Sequence, residues 1–132
     1  MQGNHVHNRR NTGQRGELIA ARYLERKGYG IIAANWRCAY GEIDLIMRDG
    51  DELVFVEVRA RRSSVQGLAQ ESITPAKQRR LALLADAYLH ELDEACTPWR
   101  GAWRIDVIAV QFVGEQARIQ HFQSAVEDMQ EE

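Results

Sequence analysis

The stretch GEIDLIMRDGDELVFVEVRAR, Gly41 to Arg61, decides the fold. Apolar and polar residues alternate on both sides of Asp49-Gly50-Asp51, the pattern of two strands joined by a tight hairpin turn. By strict alternation Glu42, Asp44 and Ile46 share one face of the first strand, and Ile43, Leu45 and Met47 the other. In the second strand Leu53, Phe55, Glu57 and Arg59 oppose Val54, Val56 and Val58 in the same way. A two-residue turn, whether Asp49-Gly50 or Gly50-Asp51, places Asp44 and Glu57 on the same side, whereas an odd-length turn separates them. Neighbouring carboxylates on a half-buried sheet repel each other and lose hydration, which is unfavourable unless a cation joins them. A divalent metal ion supplies such a cation.

Working outward, Gly13 to Lys27 reads as an amphipathic helix with Leu18, Ala21 and Leu24 at helical spacing and Gly28 as its stop. Glu17 falls on the apolar stripe and is expected to face the sheet. A short strand follows over 29–37, and a turn near Cys38 to Gly41 leads into the hairpin. The segment 63–73, rich in small and polar residues, reads as a mobile loop. Thr74 as N-cap and Pro75 at the first helical position then open a second helix, whose stripe is Leu81, Leu84, Ala85, Tyr88, Leu89 and Leu92. WRIDVIAVQFV (103–113) and ARIQHF (117–122) are two more strands. The expected order is helix, three strands, helix, two strands: an α/β three-layer sandwich around a mixed sheet of about five strands. A basic flexible leader (1–12), one domain (13–123) and an acidic tail (124–132) complete the division.

A chain of 132 residues with 45% hydrophobic content suffices for one core. No run approaches the roughly 18 apolar residues of a membrane-spanning helix, and the start lacks a signal-peptide pattern, so the expected location is the cytoplasm, with no membrane partner. Cys38 and Cys96 are isolated and suit reduced thiols; His5 and His7 read as solvated leader residues. The formal net charge of −2 becomes +2 without the four terminal acids Glu127, Asp128, Glu131 and Glu132. Arginines and lysine cluster at Arg61 and Arg62 and at Lys77, Arg79 and Arg80, candidates for phosphate contacts with nucleic acid. Their alternative is ordinary solvated charge.

The pair Asp44 and Glu57-Val58-Arg59 resembles the Asp…(Asp/Glu)-x-Lys signature of the PD-(D/E)XK, restriction-endonuclease-like superfamily. More specifically, the Gly16-Glu17-Leu18 element, GEIDLI (41–46) and FVEV (55–58) resemble the YraN family of bacterial proteins, over roughly residues 13 to 110. The resemblance implies a nuclease fold in which Asp44, Glu57 and the Val58 carbonyl hold Mg²⁺ or Mn²⁺, with Glu17 as the helical acid that completes the site. It implies a metal-dependent endonuclease acting on DNA phosphodiesters, with branched or damaged DNA as a candidate substrate and without strong sequence specificity. No base-reading motif is present. Branched substrates commonly call for a homodimer, an assembly the sequence leaves open.

The departure is Arg59, which stands where the superfamily places lysine. Arginine stays protonated, so it can clamp a phosphate but cannot act as a base. Lys77 is a candidate to swing in, and Gln78 resembles the helical Gln of some superfamily members, although Ala82 replaces the Tyr that usually follows it. The competing function is a nuclease-fold protein that binds DNA or a partner without cutting. Competing structural readings are an ion-pair network of Asp44 and Glu57 with Arg37, Arg59 or Arg61, a helix-start role for Glu17, a structural hydrogen bond for Asp106, and packing for Trp36, Trp99 and Trp103.

Overall fold

The computed structural model describes residues 4–62 and 73–126, with side chains from Thr12 onward. The expected mobile loop (63–73, all but Ile73) and the last six residues of the acidic tail lie outside the described residues, as do the leader's side chains up to residue 11. The elements are α1 (Asn4–Arg26), β1 (Gly30–Cys38), β2 (Gly41–Asp49), β3 (Glu52–Arg62), α2 (Pro75–Glu94), β4 (Trp103–Val113) and β5 (Gln116–Phe122). One five-stranded sheet runs β1-β2-β3-β4-β5. All neighbours are antiparallel except β3 and β4, which are parallel because α2 carries the chain back across the sheet. The helix–strand order read from the sequence is the observed one.

α1 begins nine residues before Gly13, so the helix takes in most of the segment read as a leader. Glycine lowers helix propensity by about 1 kcal/mol but does not end a helix, and no proline precedes this one. Gly16 has a packing function. A Cβ there would sit 2.6 Å from the Ala60 Cβ on β3, so its absence lets α1 lie directly on the strand.

Two apolar clusters make the three layers. On the α1 side Ala20 and Leu24 pack with Leu45, Met47, Val54, Val56, Ile108 and Val110. On the α2 side Leu81, Leu84, Ala85 and Tyr88 pack with Ile43, Ile46, Leu53, Phe55, Ile105 and Val107. Aromatic edges knit the second cluster: Tyr88 meets Trp36 at 5.3 Å and Phe55 at 5.7 Å, and Phe55 meets Trp103 at 5.7 Å. The tryptophans Trp36, Trp99 and Trp103 thus pack against the core, as their structural reading expects. α2 begins as read, with Thr74 Oγ1 accepting from the Lys77 N–H at 3.2 Å. No helix among the described residues is long and apolar enough to cross a membrane.

The hairpin turn has even length. Asp49 pairs with Glu52 across Gly50-Asp51, and Leu45 pairs with Val56. Gly50, at φ 61°, supplies the positive φ that such loops require. Strict alternation, however, fails in β2. Ile43 and Ile46 are three residues apart yet lie in the same α2-side cluster, while Leu45 lies in the other. Their β1 partners repeat the anomaly, for Trp36 and Ala33, paired with Ile43 and Ile46, also pack on the α2 side. The paired ribbon therefore switches face between these two rungs. The expectations that Ile43 shares a face with Leu45, and Asp44 with Ile46, are corrected by this switch; on β1, Asn35 between the two rungs lies in the left-handed region at φ 53°.

Candidate active site

The face switch gathers three acids from two elements. Glu17 of α1 and Glu42 and Asp44 of β2 each offer a carboxylate oxygen, and these oxygens lie within 4.8 Å of one another. All three side chains are half-buried. Gly16 brings Glu17 down onto the sheet, since the close contact of α1 with Ala60 fixes the height of the following residue. Asp44 Oδ2 accepts the Val58 N–H at 2.8 Å. This bond spans to β3 just beyond Leu45 and Val56, where the β2–β3 ladder ends. Asn35 Nδ2 donates to Glu42 Oε2 at 2.7 Å and to Glu17 Oε1 at 3.2 Å. Arg37, an exposed side chain, meets Glu42 at 3.5 Å.

The electrostatics record the cost of this arrangement. Burial pushes Asp44 up to about 7; the Val58 N–H opposes that shift, while Glu57, Glu17 and Glu42 add to it by repulsion. Glu57 is also raised, chiefly by burial, with Lys77, Arg80 and Arg59 pulling it back and Glu17 pushing it up. Glu57 therefore stands between an acidic side formed by α1 and β2 and a basic side formed by α2 and its own strand.

Of the residues expected to form the site, the structure brings Glu17 and Asp44 together, with Glu57 close enough to act on Asp44. Glu57 is not one of the three acids at ligand spacing; Glu42 takes that place. The Val58 N–H is bonded to Asp44, and its side chain packs on the α1 side. The Gln78 amide donates to the Ile73 carbonyl at 3.0 Å and fastens the start of α2. Arg59 lies in the field of Glu57. Lys77, Arg79, Arg80 and Arg62 are exposed and Arg61 is half-buried, so the first turns of α2 present charge to solvent. Of the ion-pair alternative, Arg37 meets Glu42 and the Arg59 charge acts on Glu57.

Glu42 and Asn35 escaped the sequence reading. Glu42 carried a signal, since it neighbours Asp44 within GEIDLI. Asn35 carried a weaker one, an Asn inside a strand, where that residue type is depleted and where it tolerates left-handed backbone.

Asp106, by contrast, is structural. It is fully buried and accepts from Arg104 Nε at 3.0 Å, the Ser124 N–H at 2.9 Å and, at 2.8 Å, His121 Nε2. Burial alone would raise its pKa, but these donors and the Arg104 charge outweigh it and hold the carboxyl below its usual value. Arg104 continues the network to Asp49, Glu52 and the Tyr29 hydroxyl, joining the closed end of the hairpin to β4. Among the described residues no buried side-chain polar atom lacks a partner.

Comparison with known proteins places this arrangement in a family. The model of the uncharacterised protein family UPF0102 matches residues 16–110, a span that includes Glu17, Asn35, Glu42, Asp44 and Glu57. A UPF0102 protein of Herpetosiphon aurantiacus is 49% identical over 116 residues, covering 88% of this chain and 94% of its own. Another, of Roseiflexus castenholzii, is 50% identical over 125 residues, covering 91% and 96%. A third, of Pelotomaculum thermopropionicum, is 50% identical over 119 residues, covering 89% and 96%. On a match that runs from α1 through β4, with relatives of nearly the same extent, the chain belongs to the uncharacterised protein family UPF0102, the YraN family that its motifs resemble.

Proposed function

We propose that this protein is a divalent-cation-dependent endonuclease of the restriction-endonuclease-like superfamily, hydrolysing DNA phosphodiesters without strong sequence specificity. The observation that carries the reading is the convergence of Glu17, Glu42 and Asp44 within 4.8 Å of one another, beside Glu57, in a half-buried place. Without a cation such a grouping is costly, as the raised Asp44 pKa of about 7 records. The donors are all carboxylate oxygens, which suit Mg²⁺ or Mn²⁺ and not the thiolate- or imidazole-preferring metals. The residues present therefore fit the group. Glu17, Glu42 and Asp44 would hold the cation, with Glu57 and the Val58 carbonyl as further oxygen donors on the β3 side. Such a cation supplies Lewis-acid activation of water and neutralises charge on the scissile phosphate.

The chain's own residues do the rest. Glu57, raised above its ordinary value by burial, is a stronger proton acceptor than a free carboxylate. Arg59 cannot accept a proton, so its part is to donate to phosphate oxygens. Lys77, Arg79, Arg80, Arg61 and Arg62 supply contacts to flanking phosphates, which position DNA but read no sequence. The same arginine supports a second reading, a DNA-binding protein that does not cut.

The test is a cleavage assay with Mg²⁺ and with Mn²⁺ on linear, single-stranded, flap and four-way-junction DNA, with Asp44→Ala and Glu57→Ala alongside. The nuclease reading expects cation-dependent product that both substitutions abolish. Equal product from wild type and variants would sink it. Salt-sensitive binding that survives both substitutions, without product, would establish the binding-only reading.

A further inference from the structure

Asn35 adopts a conformation that strand formation does not call for. It sits within β1 at φ 53°, where any residue with a Cβ is disfavoured and Asn is disfavoured least. Its position is telling. The rungs Ala33↔Ile46 and Trp36↔Ile43 flank it, and both put their side chains against α2 although they are three positions apart. A flat ribbon would put them on opposite faces. One left-handed residue between the two rungs is what permits the switch. Its consequence is that Ile43 goes to the α2 core while Glu42 and Asp44 approach Glu17 on the opposite layer.

The side chain completes what the backbone begins. Ionised carboxylates only accept hydrogen bonds, so the Asn35 amide must turn its nitrogen to Glu42 at 2.7 Å and to Glu17 at 3.2 Å. These acids come from different elements, α1 and β2, and the amide links the two. An amide can offer a proton to each without adding charge, which a lysine in the same place would do at the expense of a cation.

We infer that Asn35 is a positioning residue for the acidic site: its left-handed backbone turns Glu42 and Asp44 toward Glu17, and its amide holds Glu17 and Glu42 at ligand spacing. The inference rests on the reading of that site as a cation site. A kink that served only sheet shape would need neither amide bond, and glycine would meet it at least as well.

That difference gives the test. Asn35→Gly keeps the backbone conformation and deletes the amide. Mn²⁺ is titrated by calorimetry into the full-length wild type and the variant, and cation-free thermal unfolding is followed for both. The expected result is Mn²⁺ affinity lowered about tenfold or more, as on loss of a partner that orients a ligand, with the cation-free melting temperature nearly unchanged. The same substitution made on Glu17→Gln should lower affinity by a smaller factor, because one of the two bonds is already altered. Undiminished affinity in Asn35→Gly, with wild type binding Mn²⁺, overturns the role of Asn35 and leaves the cation site standing. The same fold loss in both backgrounds overturns it too. A wild type that binds no Mn²⁺ overturns the cation site itself, and the role of Asn35 with it.

Discussion

Replacing Asp44 by Asn should make the cation-free protein more stable, although it removes the residue at the centre of the proposed site. Burial and three neighbouring acids raise Asp44 from 3.8 to about 7. A carboxyl whose folded-state value is raised is neutral in both states below its unfolded value, so it costs nothing there. Between 3.8 and about 7 the unfolded chain ionises while the folded one resists, and stability falls as pH rises. Above that window the loss is complete. A rise of about three units at about 1.4 kcal/mol each gives roughly 4 kcal/mol as an upper bound, and relaxation of the neighbours reduces it. Asn keeps an acceptor for the Val58 N–H, so that bond survives.

The expected gain near pH 8 is therefore about 1–4 kcal/mol, or on the order of 5–15 °C in Tm for a chain of this size. The assay is thermal unfolding by circular dichroism with a chelator present, for both proteins near pH 8 and again near pH 4. The difference should shrink toward zero at the lower pH. Adding Mg²⁺ near pH 8 should then raise the wild-type Tm and close the gap, since a ligand of the folded state stabilises by mass action. A variant no more stable than wild type near pH 8, or an advantage that does not shrink on acidification, refutes the reasoning.

Gly16→Ala places a methyl where only 2.6 Å separates it from Ala60, so it should cost about 1–3 kcal/mol in urea unfolding and weaken Mn²⁺ binding by lifting Glu17 from the sheet. Asp106→Ala leaves the buried Arg104 and His121 without their shared partner and should cost about 3–5 kcal/mol, read by the same measurement. Because hydrogen bonds from His121, Arg104 and Ser124 hold Asp106 below 3.8, its contribution is present above that value and lost as pH falls through the lower folded one; Asp106→Asn should flatten this part of the acid-unfolding profile. Thr74→Ala removes the cap of α2 and should cost about 1 kcal/mol in the same unfolding measurement, with cation binding unchanged.

The fold was legible because its signals are local. Thr74-Pro75 opens α2 where the sequence places it, WRIDVIAVQFV is β4, and the even turn at Gly50-Asp51 sets the hairpin register. Glu17 was legible as a charge on an otherwise apolar helix stripe, and Asp44 as one of several acids on a half-buried hairpin. What escaped depends on chain segments far apart in sequence. The upstream end of α1 lacked a pattern because Gly13 looks like a boundary when nothing shows that helix continues before it. Glu42 looked like one more alternating residue until β1 supplied the kink that gives it a role. Gln78, read as part of the site on a resemblance of spacing, satisfies the Ile73 carbonyl instead. A periodicity argument assumes a regular ribbon, and the site lies where the ribbon is irregular.

The packing of α1 against β3 through Gly16 and Ala60 carries a consequence for the life of the chain. Glu17 belongs to an element made before the strands it must meet. Until α1 docks across the finished hairpin, the acids are scattered along an open polymer, each with the acidity of a free side chain. A nascent, nicked or partly unfolded copy thus has no assembled centre. In the proposed enzyme, incomplete molecules would lack the centre that cuts DNA.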